Sequence, residues 1–118
     1  MPAATNTTAQ PAPPAHVAPY VDALGTDLAI EFLLHFGGAE LYLAKAPQSS
    51  RLVAFMGPEP ARRLAAEAHR MQRRVPLASP WIAATLASRG VPIAEIARRV
   101  RASDVAVRKW LRAARSRH

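Results

Sequence analysis

The apolar residues of this chain fall into runs punctuated by proline and glycine, and the spacing within each run predicts an element. Residues 1–18, MPAATNTTAQPAPPAHVA, carry no charged side chain and four prolines. Such a stretch buries too little to offset the cost of ordering it, which predicts a disordered tail. Pro19–Gly25 reads as a short helical turn closed by glycine. Thr26 then caps a helix whose Leu28, Ile30, Phe32, Leu33, Leu34 and Phe36 wrap well over half its circumference, ending at Gly37-Gly38. A helix apolar over so wide an arc must be covered on more than one side. A second subunit would cover it, which makes Leu28, Phe32, Leu34 and Phe36 candidate dimerisation residues. Burial under later helices of the same chain is the alternative.

Ala39–Lys45 alternates, with Leu41 and Leu43 on one side and Glu40 and Tyr42 on the other, and predicts a strand. A lone strand needs a pairing partner, so Leu41 and Leu43 join the dimerisation set. A shift of 32 residues lays Leu24-Gly25-Thr26-Asp27 on Met56-Gly57-Pro58-Glu59 and Phe32 on Leu64. The pattern reads as a unit repeated over residues 19–45 and 51–77: short helix, glycine, longer helix, strand. Residues 51–57 would be the second short helix, Pro58 to about Ala68 the second long one, and Met71–Leu77 the second strand. The strands would pair within one subunit or across a dimer. Pro60–Arg74 reads alternatively as one continuous basic helix.

The last third is the most regular. Ser79-Pro80 is a helix start, and the following run reaches a stop at Gly90. Ile93, Ile96, Ala97 and Val100 form one helical stripe. Ser103 suits an N-cap, with Asp104 beside the positive helix end, ahead of a second stripe of Val107, Trp110 and Leu111. Helices over 80–89, 92–99 and 103–116 would enclose Trp81, Leu86, Ile93, Ile96, Val100, Val107, Trp110 and Leu111. The expected fold is therefore mainly α with a small β element. A helix–strand dimerisation region (19–78) precedes a trihelical helix-turn-helix domain (79–118).

Charge divides the chain. Residues 1–60 hold two cations and five acids, whereas 61–118 hold fourteen cations and three acids. The overall balance of +8 thus conceals one strongly basic half, which suits a polyanionic partner and salt-dependent binding. The chain has no cysteine, and its four histidines show no ligand spacing, so no metal or cofactor is expected. The acids are spread singly, no glycine loop cradles phosphate, and no nucleophile pairs with a base, which argues against an enzyme. Asp27, Glu31 and His35 share a helical face at four-residue spacing, a pattern better suited to a solvated or dimer-edge role than to a metal. No apolar run spans the roughly 20 residues of a bilayer crossing, and no secretion signal opens the chain. A cytoplasmic, nucleoid-associated protein is expected.

The stretch IAEIARRVRASDVAVRKWL resembles the helix-turn-helix of DNA-binding regulators, although Arg101 stands where that turn usually has glycine. The resemblance implies that the second helix enters the major groove of double-stranded DNA. Carried over by position, Ser103, Asp104, Val105, Arg108, Lys109 and Arg112 would read bases. Arg98, Arg99, Arg101, Arg115 and Arg117 would hold the phosphate backbone.

Phe36-Gly-Gly-Ala-Glu-Leu-Tyr-Leu-Ala-Lys45, with Arg51-Leu-Val-Ala-Phe-Met-Gly57 and Ala61-Arg-Arg-Leu-Ala65, is similar to the Mor/C family of phage transcription activators. That resemblance implies an intertwined homodimer, a two-part DNA site and contact with RNA polymerase. It also implies a strand bearing Tyr42 that approaches DNA, a packing role for Tyr42 being equally open. A sequence-specific transcription regulator of phage or prophage type is the leading expectation. A non-specific DNA-bridging or nucleoid-type protein and an antitoxin-like adaptor are the alternatives.

Overall fold

Proline and glycine set most of the helix ends in this chain. The structure, a computed structural model, describes residues 11–40 and 46–116, without the side chains of 46–50 and 116. The described helices are α1 (Ala18–Leu24), α2 (Thr26–Phe36), α3 (Ala46–Met56), α4 (Pro58–Ala66), α5 (Ser79–Ser88), α6 (Ile93–Val100) and α7 (Asp104–Ser116). A 3-10 turn, Ala68–Arg70, follows α4. Proline occupies the first turn of α1, α4 and α5, where its missing N–H removes no helical hydrogen bond. The chain divides into two units. One is Pro13–Leu77; the other is Ala78–His118, joined by Pro11 and Ala12 from the described part of the N-terminus.

In the Pro13–Leu77 unit, α1 packs on α2 and α4, and α3 packs on α4. Tyr20, Ile30, Phe32, Leu33, Leu52 and Leu64 are almost wholly buried there. Phe32 stacks on Tyr20 at 5.6 Å and meets Phe36 at 5.1 Å between ring centroids. The wide apolar arc of α2 is thus largely covered by its own unit: Phe32 and Phe36 are buried, while Leu28 and Leu34 are half-buried. Order also begins earlier than residue 19. The Val17 and Ala18 amides both donate to the Pro14 carbonyl, and the Val17 side chain is fully buried. Residues 1–10 of the expected tail lie outside the described residues. The Tyr20 hydroxyl is buried without a partner among the described residues, and burial pushes its pKa above the ordinary phenol value.

Two helix–glycine–helix joints lie 32 positions apart and have matching backbones. Gly25 sits at φ 80, ψ 162 and Gly57 at φ 90, ψ 164, a region open almost only to glycine. Each glycine N–H closes the helix before it, Gly25 onto Val21 and Gly57 onto Val53. Each glycine carbonyl opens the next helix, accepting from Ala29 and Ala61 respectively.

The expected β element and helix–strand dimerisation region are not what forms. The described residues are all-helical and contain no sheet; pairing is limited to a single antiparallel bridge between Glu40 and Arg74. The Gly38 amide donates to the Val75 carbonyl at 2.7 Å, and the Val75 amide donates to the Ala39 carbonyl at 2.8 Å. On that side the pairing stops where the opposing segment runs back into α2, which ends at Phe36. Leu41 and Leu43 lie outside the described residues. Helix α3 begins at Ala46 rather than at residue 51. The continuous helix considered over Pro60–Arg74 is also absent: α4 stops at Ala66, and Met71 is extended at φ −115, ψ 150.

In the other unit, α5 packs on α6 and α7, and α6 packs on α7. Trp81, Ile82, Thr85, Leu86, Ile96 and Val107 are buried, whereas Ile93, Val100, Trp110 and Leu111 are half-buried. The Trp81 indole N–H donates to the Pro11 carbonyl at 3.2 Å. No helix among the described residues is long and apolar enough to cross a membrane.

Candidate nucleic-acid interface

Three residues, Arg101 to Ser103, connect α6 to α7, and each makes a local demand on the backbone. Arg101 takes the left-handed conformation, φ 59 and ψ 46. The Arg101 and Ala102 amides both donate to the Ala97 carbonyl, a capping pattern that closes α6 and turns the chain sharply. A side chain at that conformation costs about 1–2 kcal/mol that glycine does not incur. Arg101→Gly should therefore raise the stability of this unit by about 1 kcal/mol in thermal melts, and a lowered melting temperature would contradict the assignment. Ser103 follows as N-cap, its Oγ accepting from the Ala106 amide at 3.0 Å. Ser103→Ala should cost about 1 kcal/mol and Ser103→Gly only a few tenths, measured the same way.

On α7 the two faces are chemically distinct. Val107 is fully buried, and Trp110, Leu111 and Ala114 lie half-buried along the same side. Val105, Arg108, Lys109 and Arg112 stand three, four and seven residues apart counted from Val105, so they share the opposite face. All four are exposed, Val105 at 71%. An exposed β-branched residue lowers helix propensity and contributes nothing to the core, so the fold itself gives no reason for Val105. Ser103 and Asp104 are exposed beside it at the start of the helix.

The remaining predicted phosphate contacts are less uniform. Arg98, Arg101 and Arg115 are exposed, and Arg99 is half-buried. Arg117 lies outside the described residues. Arg108, Lys109 and Arg115 enter no ion pair among the described residues.

Divided by units instead of by halves, the chain keeps its charge asymmetry in weaker form. Residues 13–77 carry seven cations against six acids, whereas 78–118 carry nine against two. Within the Pro13–Leu77 unit four of the arginines are also answered locally. Arg62 pairs with Glu59, Arg70 with Asp22 and Glu67, and Arg74 with Glu40. Arg63 Nε donates to the Ala23 carbonyl at 2.8 Å, at the end of α1. Arginines 62, 63, 70 and 74 belong to the basic half of the sequence, yet each has a partner inside its own unit.

Asp27, Glu31 and His35 are all exposed along α2, and no group of three or more potential ligands for a metal occurs among the described residues. Sequence reasoning missed one cluster, in which His35, Phe36, Arg51 and Phe55 come together. Its members lie on two helices, and only the position of α3 joins them. No family model matches the chain, and neither a curated protein nor a solved structure matches it.

Proposed function

We propose that this chain is a sequence-specific DNA-binding transcription regulator whose α7 enters the major groove of duplex DNA. One observation carries the reading: the exposed stripe of Val105, Arg108, Lys109 and Arg112 at the start of a helix braced from behind by α5 and α6. Arginine and lysine at this position can contact guanine edges, and a valine methyl suits the methyl group of thymine. Arg98, Arg101 and Arg115 hold phosphates and fix the register without reading sequence. Two features of the sequence resemblance belong to the same proposal: action as a homodimer and contact with RNA polymerase, as in the Mor/C activators.

Selection of bound duplexes from a random pool tests the reading, with affinity then measured across a range of salt concentrations. A regulator enriches a defined motif, and a homodimer enriches it as two half-sites. Steep salt dependence with no enriched motif would identify a non-specific DNA-bridging protein instead. Sedimentation of the purified chain checks the dimer separately.

A further inference from the structure

Near the C-terminal ends of α2 and α3, the Pro13–Leu77 unit carries an open groove of about 330 Å³ lined by His35, Phe36, Arg51, Ala54 and Phe55. The groove is shallow and open to solvent, so a ligand there would rest against its wall without being enclosed. His35 stacks on Phe55 at 4.7 Å with the rings 28° apart, and it meets Phe36 edge-on at 4.6 Å. Phe55 and Phe36 meet at 5.3 Å, nearly perpendicular. The rings therefore brace one another, while His35 stays exposed and Phe55 half-buried. A preformed aromatic wall with accessible area is the result.

Arg51 supplies the charge. Its guanidinium lies 5.5 Å from the centre of the Phe36 ring, a cation–π distance, and the side chain is exposed. It has no ion pair or hydrogen bond among the described residues, in contrast to Arg62, Arg63, Arg70 and Arg74 of the same unit, which all bond carboxylates or carbonyls. The ring beneath holds the guanidinium in place but leaves its donors to be used. A planar donor fork beside an aromatic wall fits one kind of ligand: a flat ring bearing an anionic group. Glu31 lies one turn before His35 on α2, so electrostatics place the anion at the Arg51 end of the groove.

We propose that this groove binds a small planar aromatic anion, with its ring against His35 and Phe55 and its anionic group on Arg51. The site is independent of α7, so the outcome of DNA-binding experiments does not bear on it.

Calorimetric titration of the full chain with naphthoate tests the proposal, with cyclohexanecarboxylate, naphthylmethanol and adenosine monophosphate as comparisons. Naphthoate should bind with a dissociation constant near or below about 1 mM. Cyclohexanecarboxylate, which has the charge without the flat ring, and naphthylmethanol, which has the ring without the charge, should each bind several-fold more weakly. Adenosine monophosphate binding more tightly than naphthoate would support the same chemistry and name a nucleotide as its source. Arg51→Gln should weaken naphthoate about tenfold or more, and Arg51→Lys should restore part of the loss. Phe55→Leu, which keeps an apolar side chain, should remove the preference for naphthoate over cyclohexanecarboxylate. Circular dichroism of each variant establishes that it is folded. Absence of binding at about 10 mM naphthoate, equal binding by the saturated ring, or unchanged binding in folded Arg51→Gln would each overturn the proposal.

Discussion

Phe32→Ala should destabilise the Pro13–Leu77 unit by about 3–5 kcal/mol, enough to remove much of the stability of a small domain. Phe32 is fully buried, and its ring is held between Tyr20 and Phe36, so truncation leaves a void that neighbouring helices can only partly fill. Urea denaturation followed by far-ultraviolet circular dichroism measures the loss. Leu28→Ala, at a half-buried position on the same helix, should cost clearly less. A loss below about 1 kcal/mol for Phe32→Ala would mean that Phe32 is not packed between Tyr20 and Phe36.

Arg108→Ala should weaken binding to a selected duplex by about 1–3 kcal/mol and relax the base preference at one position. Arg115→Ala should weaken binding to every duplex alike and reduce the salt slope by about one. The difference follows from place: Arg108 lies on the Val105 stripe near the start of α7, whereas Arg115 lies at the far end, about two turns away. Both variants alter exposed side chains, so neither should change the melting temperature much. Competition between the selected duplex and random duplexes is the measurement. Equal losses for both variants on all sequences would remove Arg108 from base reading.

Local signals made the last third of the chain legible. Ser79-Pro80, Gly90 and Ser103 punctuate the sequence, and the apolar stripes between them match the helical period closely enough to locate α5, α6 and α7. Arg101 in place of the usual glycine left a looser turn and a left-handed arginine equally open, and the backbone takes the second. The 32-residue shift pointed to two glycines whose backbones agree within about 10° in φ and about 2° in ψ.

The strands misled for an equally physical reason. Alternation over a few residues after a glycine pair says that a segment is extended, but it does not say that a partner can pair along its length. Here the Glu40–Arg74 bridge lies only a few residues past the end of α2 at Phe36, so the helix leaves little extended chain to pair on that side. The start of α3 was missed because Pro47-Gln-Ser-Ser50 has the composition of a loop, although proline is tolerated in the first turn of a helix. The pairing of Arg62, Arg70 and Arg74 with Glu59, Asp22, Glu67 and Glu40 was also invisible. Three of the partners, Asp22, Glu40 and Glu59, lie in the acidic half, and a balance of charge by halves cannot show which ions face each other.

Both tryptophans of the chain, Trp81 and Trp110, belong to the unit that bears α7, and both tyrosines belong to the other. Excitation near 295 nm, where only indole absorbs, therefore gives an emission signal from one half of the molecule without any added label. Melting or DNA titration can be followed optically on that half while Tyr20 and Tyr42 stay silent.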